Sequence, residues 1–90
     1  MCVVSVPAPL RRYAGGVETI EARGATVRDV LLGLKEAYPA LIERICEPGG
    51  DLKSFVNVYL NEMDIRHLGG ITTPVGGEDE ILLVPAIAGG

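Results

Sequence analysis

Apolar residues recur along the chain with two different periods, and the switches between them mark out its elements. Residues 2–6 (Cys-Val-Val-Ser-Val) read as a strand closed by Pro7 and Pro9, neither of which can donate to a sheet ladder. A turn or loop over Leu10–Gly16 leads to residues 17–22, where Val17, Thr19 and Glu21 alternate with Glu18, Ile20 and Ala22 as in a half-exposed strand. From Val27 the period lengthens. Val27, Val30, Leu31, Leu34, Ala37 and Tyr38 fall on one face of an α-helix, with Arg28, Asp29, Lys35 and Glu36 off it. Thr26 is the predicted N-cap, and Asp29 completes an imperfect capping box. Pro39 disfavours helical backbone at Tyr38 and ends this helix. It also suits the first position of a second short helix, whose Leu41, Ile42, Ile45 and Cys46 lie on one side.

Residues 55–60 (Phe-Val-Asn-Val-Tyr-Leu) form the clearest strand pattern, with Val56, Val58 and Leu60 facing one way and Phe55, Asn57 and Tyr59 the other. Asn61–Asp64 reads as a turn into a short strand at Ile65–His67, and Gly69–Gly77 as a long surface loop. Ile81-Leu-Leu-Val-Pro85 is a continuous apolar run of the kind a central strand buries on both faces. The predicted order is therefore β-β-α-(α)-β-β-β. Five strands and one main helix become compact only if the helix covers one face of a mixed sheet. With the two most apolar strands, the first and the last, side by side, the fold class is α+β and the arrangement a β-grasp: a mixed five-stranded sheet with one main and one short helix. Residues 1–85 make up this domain, and 86–90 are expected to project as a flexible tail.

Composition narrows the possible functions. Ninety residues, 48% of them hydrophobic and 22% charged, make one small globular domain with little room for a deep pocket, which weighs against a self-sufficient enzyme. The net charge is −4, distributed unevenly: residues 1–46 carry six basic and five acidic groups, residues 47–90 two and seven. A chain without a basic run has no electrostatic footprint for nucleic acid or an anionic membrane, and its acidic half suits a basic protein surface. No apolar stretch approaches a membrane span and no signal-peptide layout follows Met1, so a cytoplasmic location is expected.

Candidate chemistry within the domain is sparse. His67 has no His or Cys at metal-ligand spacing, so no metal site is expected. A Cys46–His67 nucleophile pair is conceivable, but both Cys46 and Cys2 read better as small buried hydrophobes. Glu78, Asp79 and Glu80 read as solvated turn residues, and Gly69-Gly70 and Gly76-Gly77 lack a phosphate-loop layout. Two cysteines are too few for a plant-type iron–sulfur cluster.

What remains is the C-terminus, Val84-Pro-Ala-Ile-Ala-Gly-Gly90, which carries no charged side chain. A terminal glycine has no Cβ, so its carboxylate can pass through a narrow channel into another enzyme's site. Converted to a mixed anhydride with AMP, such a carboxylate becomes open to attack by sulfur or an amine. Together with Phe55-Val-Asn-Val-Tyr-Leu-Asn61, Asp64-Ile-Arg66, Thr73-Pro-Val75 and the Ile81–Gly90 run, this ending resembles the ThiS/MoaD family of ubiquitin-like sulfur carriers over essentially the whole chain. Within the family it is most similar to carriers of the thiocarboxylate-dependent cysteine route (the CysO type). The chain departs from the family's usual Asp-Gly-Asp turn at Gly77-Glu-Asp-Glu80.

The resemblance implies that the chain is a protein co-substrate, not an enzyme. An E1-like adenylating and sulfurtransferase enzyme would activate Gly90 with ATP and Mg²⁺ and leave a thiocarboxylate there, while Pro85, Ala86, Ile87, Ala88 and Gly89 thread the partner's active site. In the cysteine route a PLP-dependent cysteine synthase delivers an activated serine derivative to the sulfur, and a zinc metalloprotease then releases cysteine. No cofactor would be bound by the carrier itself. Related endings occur in the small subunit of molybdopterin synthase, which donates sulfur for the molybdenum cofactor. Conjugation through Gly90 to lysines as a protein modifier, and a non-covalent β-grasp binding module, are further readings.

The partner surface follows from the strands themselves. One helix covers only one sheet face, so Leu82 and Val84, with Phe55 and Tyr59 on the neighbouring strand, are predicted to form an exposed apolar patch beside the tail, unless the loop at 69–77 covers them. In the family, the residue at Val84's position contributes to the contact with the adenylating enzyme. Leu82 and Val84 are the expected anchors.

Overall fold

A computed structural model describes residues 2–85 of the chain. Its strands are β1 (Cys2–Ser5), β2 (Thr19–Ala22), β3 (Val56–Leu60), β4 (Met63–Asp64) and β5 (Glu80–Pro85). They form one sheet in the order β2-β1-β5-β3-β4. β1 and β5 pair in parallel and every other pair is antiparallel, so the first and last strands lie side by side in the middle as expected. Two helices, α1 (Val27–Ala37) and α2 (Pro39–Ile45), complete the β-grasp. None of the described helices is long and apolar enough to cross a membrane.

The helix signals act as the sequence indicates. Thr26 caps α1 by accepting the Asp29 N–H at 3.2 Å, and Pro39 occupies the first turn of α2. Val27, Val30, Leu31 and Leu34 of α1, with Leu41, Ile42 and Ile45 of α2, are buried. The sheet contributes Val4, Ile20, Val56, Val58, Leu60, Ile81 and Leu83 to the same core. Gly24 makes the close approach of β2 to α1 possible: a Cβ there would lie 2.6 Å from the Val30 nitrogen.

Several local expectations are corrected. Leu10–Gly16 is not simple loop, because residues Ala8–Tyr13 wind into a 3₁₀ helix that buries Leu10. Ile65–His67 is a 3₁₀ turn instead of a strand. The short edge strand lies earlier, at Met63–Asp64, because Asn61 and Glu62 both take positive φ (49° and 76°) and reverse the chain in two residues. Asp64 then ends the strand by accepting the Arg66 backbone N–H at 2.9 Å. β5 is not buried on both faces. Ile81 and Leu83 are fully buried, whereas Leu82 is 40% exposed, because both helices lie on the same side of the sheet.

Candidate functional site: the open sheet face and the end of β5

Strand register decides which side chains share the uncovered face. Val3 pairs with Glu21 on one side and Glu80 on the other, Ser5 with Leu82, Leu82 with Tyr59, Val84 with Asn57, and Tyr59 with Asp64. Val3, Leu82, Val84 and Tyr59 therefore form an apolar centre, and Glu21, Glu80 and the Asp64–Arg66 pair border it. Leu82 and Val3 are 40% and 36% exposed. Phe55 lies in the turn that enters β3, one residue before the strand begins, and is 41% exposed with the Lys53 Nζ 6.0 Å from its ring centroid.

The loop at 69–77 leaves this face open. It is tied instead to the start of α1: the Val27 N–H donates to the Thr73 carbonyl at 3.0 Å, and the Val75 N–H donates to Ala25 at 2.9 Å. The four expected surface residues Leu82, Val84, Phe55 and Tyr59 thus all lie on β5, on β3 or in the turn into β3.

Sequence reasoning missed two contributors. Val3 looks like any strand hydrophobe until register places it beside Leu82. Arg66 looks like an isolated charge. In the structure its Nη2 donates to Asp64 Oδ2 at 2.8 Å and its Nε to both carboxylate oxygens at 3.2 Å. Hydrogen bonds from the Arg66 side chain, then from its backbone N–H, lower the Asp64 carboxyl from 3.8 to about 2. The guanidinium keeps an exposed outer side, fixed at the rim next to Tyr59. The Asp-Ile-Arg spacing was the available signal, since Asp commonly bonds the backbone two residues on.

The other candidates fall into structural roles. Cys2 and Cys46 are free and buried, and burial pushes both thiols up, Cys46 against the opposing pull of Lys35 and Lys53. Among the described residues no hydrogen bond joins Cys46 to His67, and no three His, Cys, Asp or Glu side chains converge on a metal position. Asp79 organises the turn before β5. It accepts from the Gly76 N–H at 2.6 Å and the Asn61 Nδ2 at 2.8 Å, which holds its carboxyl below the usual range. Glu80 accepts from the Ser5 hydroxyl at 2.9 Å, so of the three turn acids only Glu78 is simply solvated.

β5 ends at Pro85, opposite Val56. Ala86, Ile87, Ala88, Gly89 and Gly90, the expected threading segment and reactive end, lie outside the described residues. The site that can be described is thus an apolar face around the strand from which that segment departs. It holds no converging catalytic groups. What it offers is surface.

Comparison with known proteins agrees with this architecture. The sulfur carrier protein CysO of Mycobacterium tuberculosis is 38% identical over 89 residues, covering 97% of this chain and 96% of its own. A chain in the crystal structure of an Amycolatopsis orientalis BexX/CysO complex superposes with a TM-score of 0.91 at 34% identity, covering 100% of both chains. The solution structure of small archaeal modifier protein 1 from Methanosarcina acetivorans gives 0.87 at 37% identity, over 99% of this chain and 95% of its own. Residues 4–90 match the ThiS family, and with that match running from the first strand to the last glycine, the chain belongs to it.

Proposed function

We propose that this chain is a sulfur carrier whose C-terminal Gly90 is the reactive position. A partner enzyme of the E1-like class adenylates the Gly90 carboxylate with ATP and Mg²⁺, releasing pyrophosphate. Sulfur from a donor then displaces AMP and leaves a thiocarboxylate. The observation that carries this reading is the family match extending to Gly90, on a fold whose uncovered face centres on the strand leading to that glycine. Leu82 and Val84 anchor the adenylating partner, Tyr59 and Phe55 widen the contact, and Arg66 contributes a fixed cation at its edge. Pro85 through Gly89 pass into the partner's active site, where small side chains keep the path narrow. The similarity to CysO-named proteins supports cysteine formation as the destination of the sulfur. There a PLP-dependent synthase presents an activated serine to the thiocarboxylate, and a zinc protease releases the product.

Incubation with an adenylating enzyme, ATP and a sulfur donor, followed by intact-mass analysis, tests the reading. An oxygen-to-sulfur mass gain that maps to Gly90 and vanishes when Gly90 is deleted is the expected result. The similarity to a small archaeal modifier protein favours one second reading, in which activated Gly90 is joined to lysines. Amide-linked products without a sulfur-bearing species would favour it.

A further inference from the structure

The chain has two lysines, Lys35 and Lys53, and both line one cleft on the helix side of the molecule. The cleft lies between α1, the C-terminal end of α2 and the loop that follows. Leu31, Ile42 and Cys46 make its wall apolar, and Leu32 on its α1 rim is 51% exposed. Glu43 and Glu47 share the rim, yet among the described residues neither lysine forms a salt bridge.

The end of β5 is near. Pro85 is the register partner of Val56, which places their Cα atoms about 5 Å apart. The Val56 N–H donates to the Lys53 carbonyl at 3.0 Å, a four-residue turn that holds those Cα atoms within about 7 Å. The Lys53 N–H in turn donates to Ile45 at 2.9 Å, at the mouth of the cleft. Residues 86–90 span about 17 Å when extended, enough to bring Gly90 to either ammonium group. Their chemistry fits as well. Ala-Ile-Ala-Gly-Gly has one branched apolar side chain, no side-chain charge and a terminal carboxylate; the cleft has an apolar wall and two cations.

We propose that this cleft is a binding site for a C-terminal carboxylate, and that its occupant is the chain's own segment 86–90, with Gly90 held between Lys35 and Lys53. Docking in this way keeps the unmodified terminus on the helix side, away from the open sheet face, so a partner must draw it out. The proposal concerns the free carboxylate and does not depend on what Gly90 later carries.

Two measurements on the full-length protein, with no partner enzyme present, test it. A water-soluble carbodiimide condenses a carboxylate and an amine to an amide with loss of one water. The expected product is a monomer lighter by one water, in which peptide mapping joins Gly90 to Lys35 or Lys53. Its yield should fall severalfold at about 1 M salt, where the screening length shrinks to about 3 Å. In NMR spectra, the Gly89 and Gly90 amides should shift toward unstructured positions in the Lys35→Gln/Lys53→Gln double variant while Leu83 stays in place. The proposal is overturned if the Gly90 link joins two chains, if it forms only with the Met1 amine or not at all, or if the glycine amides are the same in variant and wild type.

Discussion

Alternate residues of β5 meet two different environments. Ile81 and Leu83 point to the helices and are fully buried, whereas Leu82 is 40% exposed on the opposite face and Val84 is half-buried. All four are aliphatic, so local composition does not separate them. The covered face is completed by this chain's own helices, and the open face has an apolar centre with nothing of its own to cover it. One side of the strand holds the fold together, and the other is available for another molecule.

The largest effect should come from breaking the covered side. Leu83→Ala removes a fully buried side chain and is expected to destabilise by about 2–5 kcal/mol in chemical denaturation. Leu82→Ala, one residue away, should cost about 0.5 kcal/mol or less, yet weaken binding to the adenylating partner by about tenfold or more. Comparable stability losses at the two positions would erase the distinction between the faces.

Two glycines sharpen the covered side further, and in opposite directions. Gly24→Ala places a Cβ 2.6 Å from the Val30 nitrogen, and the resulting shift of α1 should cost about 1–3 kcal/mol. Gly33 lies within α1, and the nearest atom to an added Cβ is 3.9 Å away, so Gly33→Ala should stabilise by about 0.5–1 kcal/mol. Paired thermal melts read both signs.

The smallest effect belongs to the rim of the open face. The Asp64 carboxyl is lowered from 3.8 to about 2 in the fold, so its ionised form adds stability above pH 4 that is lost as the pH falls toward 2. Acid titration of wild type beside Asp64→Asn should show a stability difference that narrows over that window. A constant difference would mean that the Arg66 pair contributes nothing through ionisation.

Much of this was legible in the residues, for identifiable reasons. The period of Val27, Val30, Leu31 and Leu34, the Thr26 cap and Pro39 state local preferences that the tertiary structure agrees with. The pairing of first and last strands was legible because they are the most apolar. The open anchors Leu82 and Val84 followed from counting helices against faces. Other features depend on contacts between distant residues. Ala8–Tyr13 winds up because Leu10 has a core to enter, and Gly24 gives no sign in the sequence that Val30 will press against it. Ile65–His67 was misread because its alternation suits a strand, while the deciding hydrogen bond comes from Asp64 just before it. The cleft at Lys35 and Lys53 is assembled across 18 residues of chain and leaves no spacing signature.

The most direct test of the account joins the two faces to Gly90. Wild type and Leu82→Asp, both checked for native folding, are incubated with the adenylating partner, ATP and a sulfur donor, and their intact masses are recorded. The account predicts a wild-type mass gain of one oxygen-to-sulfur exchange at Gly90, and a folded variant left largely unmodified. A wild type that stays at its original mass, or a variant converted as readily as wild type, would contradict it.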